Sequence, residues 1–294
     1  MAHNLRTNLE ANASSIAAAG ADTPYELRLR HDFRWAMSES TRFFQGTSGL
    51  QQTLRELAKK LDALGIAYAV VGGMALLEHG YARMTEDVDL LVTRADLKKI
   101  HAGLEGLGYR REFAGSKNLR DTSTQVKIEF VLSGDFPGSG KPQPLAFPNP
   151  GEIEISEHDG VKFIGLAPLI ELKLASGMTG GPGRAKDLVD VQQLITLLRL
   201  PCDLAERLNE YVRPRYRSLW DELHAEPRRF VRLWRGTGSP AAADELRRMM
   251  ADGISIEPPG GIATGRARLV TGDRAIAEKY GMHDESELFD EEAE

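Results

Sequence analysis

With 294 residues, 41% of them apolar, the chain is long enough to bury one large core or two smaller ones. A net charge of −6 argues against indiscriminate binding to nucleic acid, and no apolar run approaches the roughly 20 residues needed to span a bilayer. Cys202 is the single cysteine, so no disulfide forms within the chain; with no apolar leader in MAHNLRTNLEANASSIAAAG, the expected location is the cytoplasm and no membrane partner is expected.

In chain order, residues 1–23 are poor in large apolar groups and read as flexible. Residues 25–44 carry Leu27, Phe33, Trp35, Met37 and Phe43 between arginines, a pattern for a helix packed on the domain. Segment 48–64 is a stronger helix: Leu50, Leu54, Leu57, Leu61 and Leu64 recur at three- and four-residue spacing, and Gly65 follows in the terminating position. An apolar run at 67–71 reads as a buried strand, broken by Gly72 and Gly73 and followed by a short helix over 74–79. The next strand, 88–92, has Asp87 and Asp89 at its mouth.

Side chains two apart on a strand share a face, so Asp87 and Asp89 point together while Val88, Leu90 and Val92 point into the core. Two adjacent carboxylates are hard to keep ionised together, and a divalent cation between them removes that cost. The glycines upstream let a backbone approach a phosphate closely. Taken alone, an Asp-x-Asp pair also suits any polar junction between loop and strand; the Gly-Gly turn before it shifts the balance toward a phosphate and metal site.

This arrangement resembles the nucleotidyltransferase superfamily that includes DNA polymerase β. Within it, VGGMALLEHGYARMTEDVDLLV resembles the AbiEii-like toxin branch and its uncharacterised bacterial relatives, through Gly72, Gly73, His79, Gly80, Arg83, Thr85, Asp87 and Asp89. The resemblance implies an α+β fold, with a mixed β-sheet flanked by helices and a helical region after it. It also implies a third carboxylate on a later strand. Glu129, in the alternating stretch QVKIEFVL at 125–132, is the choice, although the superfamily residue is usually Asp. An ion pair between Glu129 and Lys127 is the competing reading. Arg83 and Thr85 lie on the loop into the second strand, where Arg83 either meets a phosphate or caps the loop. His79 is expected to pack or cap rather than to act in catalysis.

Farther along, 95–107 is expected to be a helix, 109–113 and 118–121 short strands, and 133–151 a Pro- and Gly-rich loop. Segments 153–155 and 161–164 suggest a hairpin about His158-Asp159-Gly160. The pattern then turns helical, with a Gly-rich turn at GMTGGPG and a helix over 184–198. The stretch ELKLASG…GRAKDLVDV resembles the toxin branch again, through Lys173, Arg184 and Asp187. The resemblance puts Lys173 and Arg184 on a triphosphate; Asp187 is otherwise the buried partner of Lys173. Lys186 and Asp190 are expected to face solvent or make helix pairs.

Helices are further expected at 204–212, 216–224, 228–235 and 240–250, with an irregular stretch at 253–266. The expected organisation is an N-terminal extension (1–46), a nucleotidyltransferase core (47–165), a helical domain completing the nucleotide site (166–250) and an irregular acidic tail (251–294). Arginines crowd the stretch 199–235, and the chain ends in DESELFDEEAE. The function the resemblance implies is a two-metal enzyme using Mg²⁺ or Mn²⁺ to bind an NTP such as ATP. It would transfer a nucleoside monophosphate to RNA, such as a tRNA end, or to a protein, as a toxin with an antitoxin partner. A small-molecule nucleotidyltransferase of the antibiotic type and an inactive nucleotide-binding module are the alternatives.

Overall fold

A computed structural model of the chain describes residues 22–224, 230–235, 240–257 and 266–284. The chain divides into two compact units, 1–223 and 224–294.

The first unit opens with two helices where one was expected, α1 (Tyr25–His31) and α2 (Phe33–Phe44). Asp32 makes the break: its carboxylate accepts from the amide of Trp35 and caps α2. Ser48 caps α3 (Gly49–Ala63), and Gln51 returns the bond to the Ser48 amide. Leu50, Leu54, Leu57 and Leu61 are the buried stripe of α3, as their spacing requires.

A seven-stranded mixed sheet follows, in the order β3-β4-β5-β2-β1-β7-β6. Its strands are β1 (Ala69–Val71), β2 (Asp87–Val92), β3 (Tyr109–Arg111), β4 (Leu119–Asp121), β5 (Lys127–Leu132), β6 (Ile155–His158) and β7 (Val161–Ile164). The short helix α4 (Gly72–Glu78) joins β1 to β2, and α5 (Arg94–Leu104) follows β2. β1 runs antiparallel to β2, and β2 runs parallel to β5. That parallel register sets Asp87 beside Lys127 and Asp89 beside Glu129. Along β5, Ile128, Phe130 and Leu132 are buried, while Lys127, Glu129 and Val131 turn to the other face. Beyond the sheet come α6 (Leu166–Thr179), α7 (Ala185–Leu198) and α8 (Arg213–His224), so a mixed sheet flanked by helices precedes a helical region, the fold class expected.

Two expected helices are not present as such. Segment 204–212 carries a 3₁₀ turn, Cys202–Arg207, in place of an α-helix. The stretch expected to be helical over 228–235 is a strand, β8 (Phe230–Arg235), opening the second unit. Phe230, Val231 and Trp234 favour strands, and pairing with residues 31 and more positions away outweighs the local helical pattern. The unit continues through α9 (Pro240–Ala251), β9 (Ser255–Glu257), β10 (Arg266–Thr271), α10 (Arg274–Lys279) and β11 (His283–Asp284). Its four strands run β11-β8-β10-β9 over a core that includes Leu246, Met249, Ile254 and Leu269. The stretch after 250, expected to be irregular, thus contains three strands and a helix; the acidic end, 285–294, lies outside the described residues, as do Arg228, Arg229 and residues 1–21. Among the described residues, no helix is long and apolar enough to cross a membrane.

Candidate active site

Asp87, Asp89 and Glu129 converge on one face of the first unit's sheet. One oxygen from each lies within 4.8 Å of the others. Adjacent positions on β2 and β5 explain this: alternation puts Asp87 and Asp89 on one face, and the parallel register lays Glu129 next to Asp89. Burial, then Asp87 and Glu129, push the Asp89 carboxyl up to about 8. Burial and Glu129 also raise Asp87, against a hydrogen bond from Thr85 (3.1 Å). Three carboxylates that converge on one point, two of them with raised pKa values, are the chemistry a divalent cation satisfies, so the residues present fit a divalent-cation site.

Gly72 and Gly73 stand directly against this cluster. Gly72 has φ +65°, and a Cβ there would come 2.8 Å from Asp89 Cγ and nearer still to its oxygen. A Cβ on Gly73 would meet Thr85 at 2.6 Å. The two glycines thus have a reason beyond phosphate approach: they leave room for the carboxylate and threonine of the next strand.

A cleft of about 340 Å³ opens over these groups. Gly72, Gly73, Arg83, Thr85, Asp87, Asp89 and Glu129 line one side; Lys173, Ser176, Arg184, Lys186 and Asp187 line the helical side. Pro137, Gly138 and Phe147, from the long loop 133–151, also line it. All ten residues expected from sequence therefore meet in one cleft.

Their pairings differ in part from expectation. Lys173 is buried and lies between two carboxylates, Asp187 at 2.9 Å and Asp190 at 2.7 Å. Burial opposes the charge of Asp187, but Lys173 and the Ser176 hydroxyl (2.6 Å) prevail and hold its carboxyl below the ordinary range. Asp190, expected at the surface, is buried and takes a bidentate pair from Arg83 at 2.9 and 3.0 Å. Its position three residues after Asp187, among the apolar Val191 and Leu194, was the available signal. Lys186 is exposed, as expected, and it also lines the mouth of the cleft. Arg184 is half-exposed, 3.8 Å from Asp187. Glu129 pairs with Lys127, so the competing reading of that residue and its place in the triad hold together. His79 packs, its Nε2 lying 2.7 Å from the carbonyl of Ile164.

Residues 13–145 match the sequence model of a family described as an uncharacterised nucleotidyltransferase. The chain carries a nucleotidyltransferase domain and is an enzyme of that class. The matched segment of this nucleotidyltransferase includes the glycines and all three carboxylates; α6 and α7 lie beyond it, and the match stops short of the AbiEii-like toxin branch. No curated protein matches the chain. Among solved structures, the chain is similar to ANT(2")-Ia in complex with adenylyl-2"-tobramycin, at 16% identity over 57% of this chain and 97% of that one, with a TM-score of 0.38. A solution structure of the antibiotic-resistance factor ANT(2'')-Ia gives 16% identity, 60% and 99% coverage, and a TM-score of 0.37. JHP933 from Helicobacter pylori gives 14%, 69% and 95%, and 0.36. At that level these neighbours fix neither the fold nor the substrate of this nucleotidyltransferase.

Proposed function

We propose that this nucleotidyltransferase moves a nucleoside monophosphate from an NTP, ATP among the candidates, to a hydroxyl on a macromolecule: an RNA end such as that of tRNA, or a protein side chain. The observation that carries the reading is a single cleft with three converging carboxylates on one wall and Lys173, Arg184 and Lys186 on the other. Asp87 and Asp89 would hold a Mg²⁺ or Mn²⁺, and Glu129 with that pair a second. Such ions, when bound, neutralise the phosphate oxygens and make a hydroxyl easier to ionise. Arg184 and Lys186 offer charge to the triphosphate, and Gly72 and Gly73 let it approach the backbone. Lys173, held between Asp187 and Asp190, gives the helical wall a fixed cation. The acceptor oxygen forms a bond to the α-phosphorus, the bond from that phosphorus to the β-bridging oxygen breaks, and pyrophosphate leaves.

The cleft is sized for the nucleotide, and the choice of a macromolecular acceptor rests on the motif resemblance. About 340 Å³ is at the low end for a ligand site and suits one nucleotide. A second substrate then presents its hydroxyl from outside, as a projecting chain end does. The basic segment lends less support than its composition suggested. Arg213 and Arg217 both lie against Glu206, and Arg215 pairs with Glu222. A toxin role, with a neighbouring antitoxin as partner, rests on the motif resemblance.

The test supplies each labelled NTP with Mg²⁺ and total tRNA, a cell lysate or a small aminoglycoside, using Asp89→Asn as the control. Label on RNA or protein supports the reading. Transfer confined to the small molecule replaces it with the antibiotic-type activity, and nucleotide binding without transfer replaces it with an inactive module.

A further inference from the structure

Lys127 completes the acidic face of the sheet as its fourth corner. In the β2/β5 register it sits beside Asp87, as Glu129 sits beside Asp89. Its ammonium is paired with Glu129. A second carboxylate waits on the other side: Glu112, just past β3, has Oε2 4.0 Å from Lys127 Nζ. Glu112 is itself held by Arg120, Nη2 to Oε1 at 2.8 Å, and Arg120 is buried and anchored to Glu26 at 2.8 and 2.9 Å. The need for Glu112 is visible in the strand register. Arg120 on β4 lies opposite Lys127, and like charges opposite each other repel unless a carboxylate sits near both.

We propose that Lys127 is a resident counter-ion with two seats, holding Glu129 when no metal is bound and moving onto Glu112 when a divalent cation takes Glu129. This rests on the metal-site reading of Asp87, Asp89 and Glu129 given above. Lysine suits the part, because its charge rides on a flexible four-carbon stem and its donors rotate freely. In the first seat, Lys127 offsets part of the repulsion among the three carboxylates. In the second, it leaves Glu129 free to ligate without becoming an unpaired cation. Metal affinity is thus set by the difference between the two seats. A Lys127 that could not leave Glu129 would compete directly with the cation.

Mn²⁺ binding to the full chain, read by electron paramagnetic resonance or calorimetry without nucleotide, tests this. Lys127→Met is expected to bind Mn²⁺ several-fold more tightly than the unaltered protein. Glu112→Gln, which removes the second seat, is expected to bind it several-fold more weakly. The double variant decides between a moving lysine and a plain through-space field. A field acting at a distance makes the two effects add, so the double variant returns near the unaltered affinity. A two-seat lysine makes Glu112 irrelevant once Lys127 is gone, so the double variant matches Lys127→Met. Additive effects, or no effect of either variant while Asp89→Asn abolishes binding, overturn the proposal and leave the metal site standing. Absence of Mn²⁺ binding by the unaltered protein removes the metal-site reading and this proposal with it. Should Glu112→Gln not fold, the ¹⁵Nζ resonance of Lys127, assigned by its loss in Lys127→Met, gives a second readout. It is expected to shift on adding Mg²⁺ to the unaltered protein and not to Asp89→Asn; an unmoved resonance alongside demonstrated binding overturns the proposal.

Discussion

The Asp89 carboxylate fills the space where any side chain on residue 72 would stand. A Cβ on Gly72 would overlap it, and Gly72 has a left-handed φ of +65° as well. Gly72→Ala therefore meets two obstacles, backbone strain and displacement of the Asp89 carboxylate. The expected cost in stability is about 1–3 kcal/mol, by urea unfolding. Nucleotidyl transfer should fall far more than the folded fraction does. A variant with normal turnover would show that Asp89 has room to move and that its placement is not critical.

Asp89→Asn should separate activity from stability. The carboxylate is crowded by burial, Asp87 and Glu129, and its charge is the one most resisted in the cluster. Replacing it with a neutral amide of the same shape removes that repulsion in the metal-free protein. The expected result is loss of transfer and of Mn²⁺ binding, with a melting temperature in chelator that is equal to or above that of the unaltered protein. A melting temperature well below it would show that the carboxylate stabilises the fold, against the sense of its shifted pKa.

Much of this site was legible because it is local in sequence. Strand alternation alone puts Asp87 and Asp89 on one face, and the Gly-Gly break places a turn beside them. Glu129 was reachable by the same alternation, but its position beside Asp89 depends on a parallel pairing between strands 40 residues apart, which no period reveals. Asp190 was missed for a related reason. Its partner Arg83 is 107 residues away, so a buried pair looked like an exposed helix charge. The strand β8 was read as a helix because its partners, β10 and β11, lie farther along the chain and override local pattern.

Lys173 and its carboxylates allow a structural role to be separated from a nucleotide-binding one. Lys173→Met leaves Asp187 only the half-exposed Arg184, 3.8 Å away, and removing the close partner of a buried pair typically costs about 3–5 kcal/mol. Asp190 retains Arg83. The double variant Lys173→Met/Asp187→Asn removes the orphaned charge and should recover most of that loss in a urea titration. Binding of a fluorescent ATP analogue should stay weak in the double variant. Full recovery of binding together with stability would assign Lys173 to the fold alone.

Acid titration should expose the same pair. Asp187 is held below its ordinary pKa in the folded state by Lys173 and Ser176, against the effect of burial. A depressed carboxylate means the folded state releases that proton more readily than the unfolded chain, whose value is about 3.9. The stabilisation is therefore complete above about pH 4 and is lost as pH falls through the lower folded value. Asp187→Asn cannot gain it at any pH. The gap in unfolding free energy between the two proteins should be flat from pH 7 to 5 and narrow below about pH 4, by urea titrations at each pH. A gap that widens on acidification would mean that Asp187 is protonated more readily in the fold than out of it, and that the pairing with Lys173 does not govern its charge.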